Sequence, residues 1–235
     1  MFDRSNPARG GVGLLGISLT VLSLFVTVLL IGCDSDPLMD SAASAPSQVL
    51  YKQTADGTSS RSPVYTFEGM IEVGSSVLRR SAESISVSYS TSDLTPRHTY
   101  TLWWVVFDEP QNCTPDESDP LTPVCNEDDV FGPMGGAPDY AKVSVLWAGD
   151  GAVASDWGRK NFRGTLARYD ASNSIFGDGL DNPETAEIHQ VLRTHGPAIP
   201  GLVREQITTF NGGCDPGQPN EGECYDIQFS IHKAK

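Results

Sequence analysis

The chain has 235 residues, with 16 Lys and Arg against 30 Asp and Glu, a formal net charge of −14. That balance argues against nucleic acid and against anionic membrane surfaces as partners, and it leaves room for cations or basic partners, or simply for solubility. Some 200 residues beyond the leader suit one domain with a real core.

The first 32 residues read as an export leader. Arg4 and Arg9 precede an uncharged run from Val12 to Ile31, which closes on Leu30-Ile31-Gly32-Cys33. These twenty uncharged residues, broken by Gly13, Gly16 and a few Ser and Thr, also approach the length of a membrane-spanning helix. No basic stop-transfer residue follows, however, because the next lysine is Lys52. The closing tetrapeptide resembles the lipobox of bacterial lipoproteins. The resemblance implies cleavage between Gly32 and Cys33 and acyl chains, palmitate among them, on Cys33. It also implies a product held to a membrane outside the cytoplasm, at the periplasmic face or the cell surface. Losing the leader removes two arginines and one aspartate, which moves the net charge from −14 to −15.

Residues 33–62 are rich in Ser, Ala, Asp, Pro and Thr, and are read as a flexible tether. Residues 63–235 are read as the folded domain. Tyr65, Phe67, Ile71 and Val73 share a parity, and Ile85, Val87 and Tyr89 alternate with serines. Leu102 to Phe107 is wholly apolar and suits a central strand covered on both faces. Val143, Val145 and Trp147 suggest a further strand, as do Phe162 with Leu166, and Ala186 to His195. The last strand has the cleanest alternation, with Tyr225, Ile227, Phe229 and Ile231 expected inward and His232 outward. Only Leu202 to Thr208 invites a helix. Seven or so strands with Gly- and Pro-rich joints predict an all-β fold, an antiparallel two-sheet β-sandwich with long disulfide-bonded loops. A closed barrel is the alternative. Asp108 to Asp139 and Tyr169 to Glu184 are loops long enough to carry function.

Cys113, Cys125, Cys214 and Cys224 are an even set, which in an oxidising compartment reads as two disulfides. Local pairing, Cys113 with Cys125 and Cys214 with Cys224, is expected. The spacing lacks the C-x-x-C pairs usual in a four-cysteine zinc site.

The sequence contains no G-x-S-x-G, H-E-x-x-H, P-loop or C-x-x-C motif. Its best polar constellation is Glu187, His189, Arg193 and His195, which share one face of a strand. Arg193 and His195, about 6.6 Å apart, would suit an anion. His189 and His195, about 20 Å apart, are too distant to share a metal, although His232 would join one of them if the last strand pairs alongside. Asp170, Asp178 and Asp181 offer oxygen ligands for calcium, the one cofactor suggested, without EF-hand spacing. Asp116, Glu117, Asp119, Glu127, Asp128 and Asp129 form a second acidic stretch. Trp103, Trp104 and Trp147 are candidates for sugar stacking, with core packing the competing role.

Two resemblances extend beyond the leader. Trp103 to Phe107, Ala186 to His189, Arg193 to Pro197 and Gln206 to Cys214 together resemble secreted bacterial and archaeal proteins of unassigned activity, over roughly residues 97–233. Ala186-Glu187-Ile188-His189, followed by Gly196-Pro197-Ala198, is similar to chordin-type (CHRD) extracellular β domains. The expectation is a lipid-anchored cell-envelope module with a binding or structural role and a protein or carbohydrate ligand. The competing expectations are an extracytoplasmic metal-dependent hydrolase and a calcium-stabilised carbohydrate binder.

Overall fold

A computed structural model describes residues 50–54, 57–114, 121, 123, 125–131 and 141–235. The leader and Cys33 lie outside the described residues, as do Asp116, Glu117 and Asp119. Ten strands run β1 (Leu50–Thr54), β2 (Gly57–Thr66), β3 (Glu72–Arg80), β4 (Ser84–Thr91), β5 (His98–Phe107), β6 (Val143–Val153), β7 (Lys160–Ala167), β8 (Ser174–Phe176), β9 (Glu187–Pro197) and β10 (Cys224–His232). Two short helices, α1 (Glu127–Phe131) and α2 (Val203–Gln206), lie in the connections.

The expected all-β antiparallel class holds. The strands form one ladder, β7-β4-β3-β2-β10-β9-β5-β6-β8, with β1 paired to the start of β2. A sandwich would bring two separate sheets together; here the sheet curls until its two halves share a core. Leu78, Ile85, Tyr89 and Phe162 from one half meet Leu102, Trp104, Leu146 and Ile188 from the other. At the seam between β6 and β7, a Cβ on Gly164 would lie 2.4 Å from the carbonyl oxygen of Ala148, so only glycine permits the approach. The Arg163 backbone N–H donates to Asp150 Oδ2 across the same seam at 2.8 Å.

β5 is central, as its unbroken apolar run suggests. It pairs with β6 on one side and β9 on the other. Its inner face joins the main core through Leu102, Trp104 and Val106. Its outer face, Trp103 and Phe107, joins a second apolar cluster with Cys113, Cys125, Val143 and Val145.

Two expectations are corrected. Residues 57–62, placed in the tether, belong to β2, and β1 begins at Leu50. This strand buries Thr58, Ser60, Ser62 and Val64 in alternation, so its inward face is mostly hydroxyl and gives no hydrophobic signal. In β10 the inward face is the polar one. Gln228, Ser230 and His232 are buried, while Tyr225 is exposed and Phe229 and Ile231 are half-buried. Phe229 packs outside against Tyr65 and Phe67, with ring centroids 6.2 and 4.7 Å away. A bulge between Asp226 and Gln228 interrupts the pairing with β9.

Candidate functional site

The candidate residues of β9 do share a face, the outer one. Two disulfide-bonded loops cover it, and its polar side chains form a cluster at each end. Both disulfides pair locally, Cys113 with Cys125 and Cys214 with Cys224.

Under the first disulfide, Glu187 is fully buried. Its Oε1 accepts the Cys125 backbone N–H at 3.0 Å and lies 2.9 Å from His189 Nε2. The His189 ring lies against Phe107, 5.0 Å between centroids. Asp129, at the start of the short α1, holds the same loop by accepting the N–H groups of Thr114 and Asn126 at 3.1 and 2.8 Å.

Arg193 is a clamp under the second disulfide. It donates to the Phe210 carbonyl at 3.0 Å, to Asp226 Oδ1 at 2.7 Å and to the Cys224 carbonyl at 2.9 Å. Its guanidinium also sits 4.0 Å above the Phe210 ring. His195 is fully buried, with Nε2 2.7 Å from Thr101 Oγ1 and Nδ1 3.2 Å from Cys224 Sγ. Cys224 Sγ is a disulfide sulfur and can only accept, so Nδ1 carries the ring proton and Nε2 accepts from Thr101 Oγ1–H, whose oxygen also accepts Trp103 Nε1–H at 2.7 Å. Burial, with the Arg193 charge adding, pushes His195 down to about 4. The anion grip expected of Arg193 and His195 is therefore corrected. Three faces of the guanidinium are occupied by the fold, and the imidazole is neutral and sealed.

His232 does pair alongside β9, opposite Ile188, but it points to the interior while His189 faces out. Its Nδ1 lies 2.7 Å from Ser60 Oγ and its Nε2 3.0 Å from Ser76 Oγ. Ser76 in turn donates to Gln190 Oε1 at 3.0 Å. Since Ser76 gives its proton to Gln190, it accepts from His232 Nε2–H, and Nδ1 accepts from Ser60. Burial, then the charges of Arg80 and His189, pushes His232 down to about 3. Nearby, Gln190 Nε2 and Ser230 Oγ have no hydrogen-bond partner among the described residues. The outward position expected for His232 is thus reversed, and the ring links three strands by hydrogen bonds.

Among the described residues, two groups bring three ligand-type atoms within 4.8 Å: His195 with Cys214 and Cys224, and Asp129 with Cys113 and Cys125. In both, the sulfurs are joined as disulfides, so neither supplies the thiolates that a zinc or iron site needs. Asp170, Asp178 and Asp181 belong to neither group. Asp170 caps its own turn by accepting the Ser172 N–H at 2.9 Å, and hydrogen bonding from the Ser172 side chain, then from its backbone, lowers its pKa, while Asp178 is exposed. Asp181 lies 3.9 Å from Lys142 Nζ. Trp103 and Trp104 are buried, and Trp103 meets Phe210 edge-on at 5.2 Å.

Asp108 escaped the sequence reading. It is buried where β5 ends, and its Oδ1 accepts the N–H groups of Asp181 and Asn182 at 2.9 and 2.8 Å. Burial pushes its carboxyl up to about 6, against those two donors and the nearby Lys142. An acid directly after the apolar block Leu102 to Phe107 was its only signal.

No family model matches the chain, and no curated protein matches it. Among solved structures it is similar to a SOD-like protein from Bacillus subtilis, at 12% identity and a TM-score of 0.28, over 73% of this chain and 96% of that one.

Proposed function

We propose that the chain is a lipoprotein of the cell envelope, anchored through Cys33, whose β domain serves a binding or structural role outside the cytoplasm. The observation that carries this reading is the pair of local disulfides, which are compatible with an oxidising, extracytoplasmic location. They follow a leader that ends at Gly32-Cys33. Each acyl methylene buried in a membrane contributes about 0.8 kcal/mol; one chain holds reversibly, and two or three hold the protein in place. Sixteen residues, 34–49, separate Cys33 from Leu50, and a chain of that length reaches at most about 55 Å. The domain therefore works close to the membrane that holds it. A binding or structural role is favoured over catalysis because Glu187, Arg193, His195 and His232 turn their polar atoms to partners within the fold.

The test is metabolic labelling with radioactive palmitate. Label should enter the full chain and disappear in Cys33→Ser, which should accumulate as the longer precursor. Label retained by Cys33→Ser, with mature mobility, would overturn the anchor.

A further inference from the structure

The outward faces of β2, β3, β4 and β7 make a field whose chemistry opposes that of the whole chain. Ladder register places Arg61, Val77, Ser88 and Arg163 in one row across the four strands. Arg79 lies in the next row between Ser59 and Ser86, and Ser75, Ser90 and Asn161 form the row on the other side. Alternate residues such as Ser60, Leu78, Val87 and Phe162 are buried, which fixes these rows as outward. No carboxylate stands in them. Arg159 and Lys160 add two cations at the start of β7, where a shallow depression runs back to Arg61 and has Glu72 as its one acid. Among the described residues, none of these five basic side chains is in an ion pair; the ion pairs that form involve Arg97, Lys142, His189 and Arg193. Asp150 is close to Arg163, but its Oδ2 is bonded to the backbone N–H.

Three unpaired arginines on one face, with Arg159 and Lys160 at its edge, are a local excess in a chain of net charge −14, and short hydroxyl side chains fill the spaces between them. We propose that this field binds an acidic polysaccharide. Carboxylate or sulfate groups would pair with Arg61, Arg79 and Arg163, whose planar forks suit such groups. Sugar hydroxyls would exchange hydrogen bonds with Ser75, Ser86, Ser88, Ser90 and Asn161. Strand spacing puts the backbones of Arg61 and Arg163 about 14 Å apart, with Arg79 one row over, about 7 Å away. A linear polymer laid across the strands meets all three.

A protein partner fits less well, because these rows hold no aromatic or large apolar anchor; Val77 and Pro63, both half-buried, are their apolar side chains. An anionic bilayer would extend beyond the field and feel the acidic remainder. A single glycan strand interacts only within about 8–10 Å, where the arginines dominate. This inference deepens the binding role proposed above and does not need the anchor. Loss of glycan binding with palmitate still on Cys33, or the reverse, tells the two readings apart.

The experiment is retention of the full chain on immobilised polygalacturonate, with neutral dextran and phosphatidylglycerol vesicles as comparisons. Retention on polygalacturonate at low salt, release by added salt and no retention on dextran are expected. The triple variant Arg61→Glu, Arg79→Glu, Arg163→Glu should bind at least ~10-fold more weakly, since three exposed ion pairs are each worth a few-fold. Arg97→Glu, Arg204→Glu, Lys235→Glu carries the same change of charge elsewhere and should bind as the unaltered chain does. The proposal is overturned by no retention, by equal weakening in both variants, or by binding to the vesicles rather than the polymer through these arginines.

Discussion

Replacing His232 with leucine removes a ring that bridges Ser60 and Ser76 in the interior. Ser60 is then a buried hydroxyl without an acceptor, which costs about 1–3 kcal/mol. Ser76 loses one donor but keeps Gln190, a smaller loss. The sum is about 2–4 kcal/mol, and for a domain of this size each kcal/mol lowers Tm by about 2–4 °C. Ser60→Ala alone strips Nδ1 of its donor and should cost about 1–2 kcal/mol. Made together with His232→Leu, it removes the stranded hydroxyl and should be neutral or stabilising. The sign of the Ser60→Ala effect thus reverses with the background, a coupling of roughly 2 kcal/mol. Urea titrations of the four proteins, with unchanged m-values, measure it. An equal cost of Ser60→Ala in both backgrounds would refute the bridging role of His232.

Acid should weaken the fold. His195 and His232 are held neutral, at about 4 and about 3, whereas in the unfolded chain they take up protons near 6.5. Stability is full above 6.5 and falls by about 1.4 kcal/mol per pH unit for each ring as pH drops toward 4. Asp108 opposes this between about 6 and 3.8, because its native carboxyl binds the proton more readily than the unfolded one does. Asp108→Asn should therefore steepen the acid loss in urea titrations run across that range, and an unchanged slope would count against it. Arg193→Met should cost about 2–4 kcal/mol by freeing two carbonyls and Asp226, with Arg193→Lys restoring only part; thermal melts decide it. Gly164→Ala should cost about 1–3 kcal/mol by forcing β6 from β7, and a variant as stable as the parent would show that the seam is loose.

The strands with apolar inward faces were readable in the sequence. The alternation of Ile85, Val87 and Tyr89 and the block from Leu102 to Phe107 mark β4 and β5 where they form. β10 was readable as a strand but not in its facing, and the start of β2 was missed, since period two reports that a strand has two chemistries without saying which one faces in. Hydroxyls, amides and one imidazole satisfy each other across Ser60, Ser76, Gln190 and His232, so a polar face goes to the interior there. The tether was drawn too long for the same reason. Cysteine pairing followed from short separations, and the shared face of Glu187, His189, Arg193 and His195 followed from parity. What covers that face depended on loops folding back over it, which no local pattern encodes.

Both sulfur bridges close loops of about a dozen residues, with separations of 12 and 10, and neither stitches one strand of the ladder to another. A reductant would thus loosen the cladding over Trp103 and Phe107 while the frame beneath, held by backbone bonds and its own interior, kept its shape. Opening of that outer layer is an event separate from collapse of the whole, and it would expose aromatic rings to solvent before any strand parts from its neighbour.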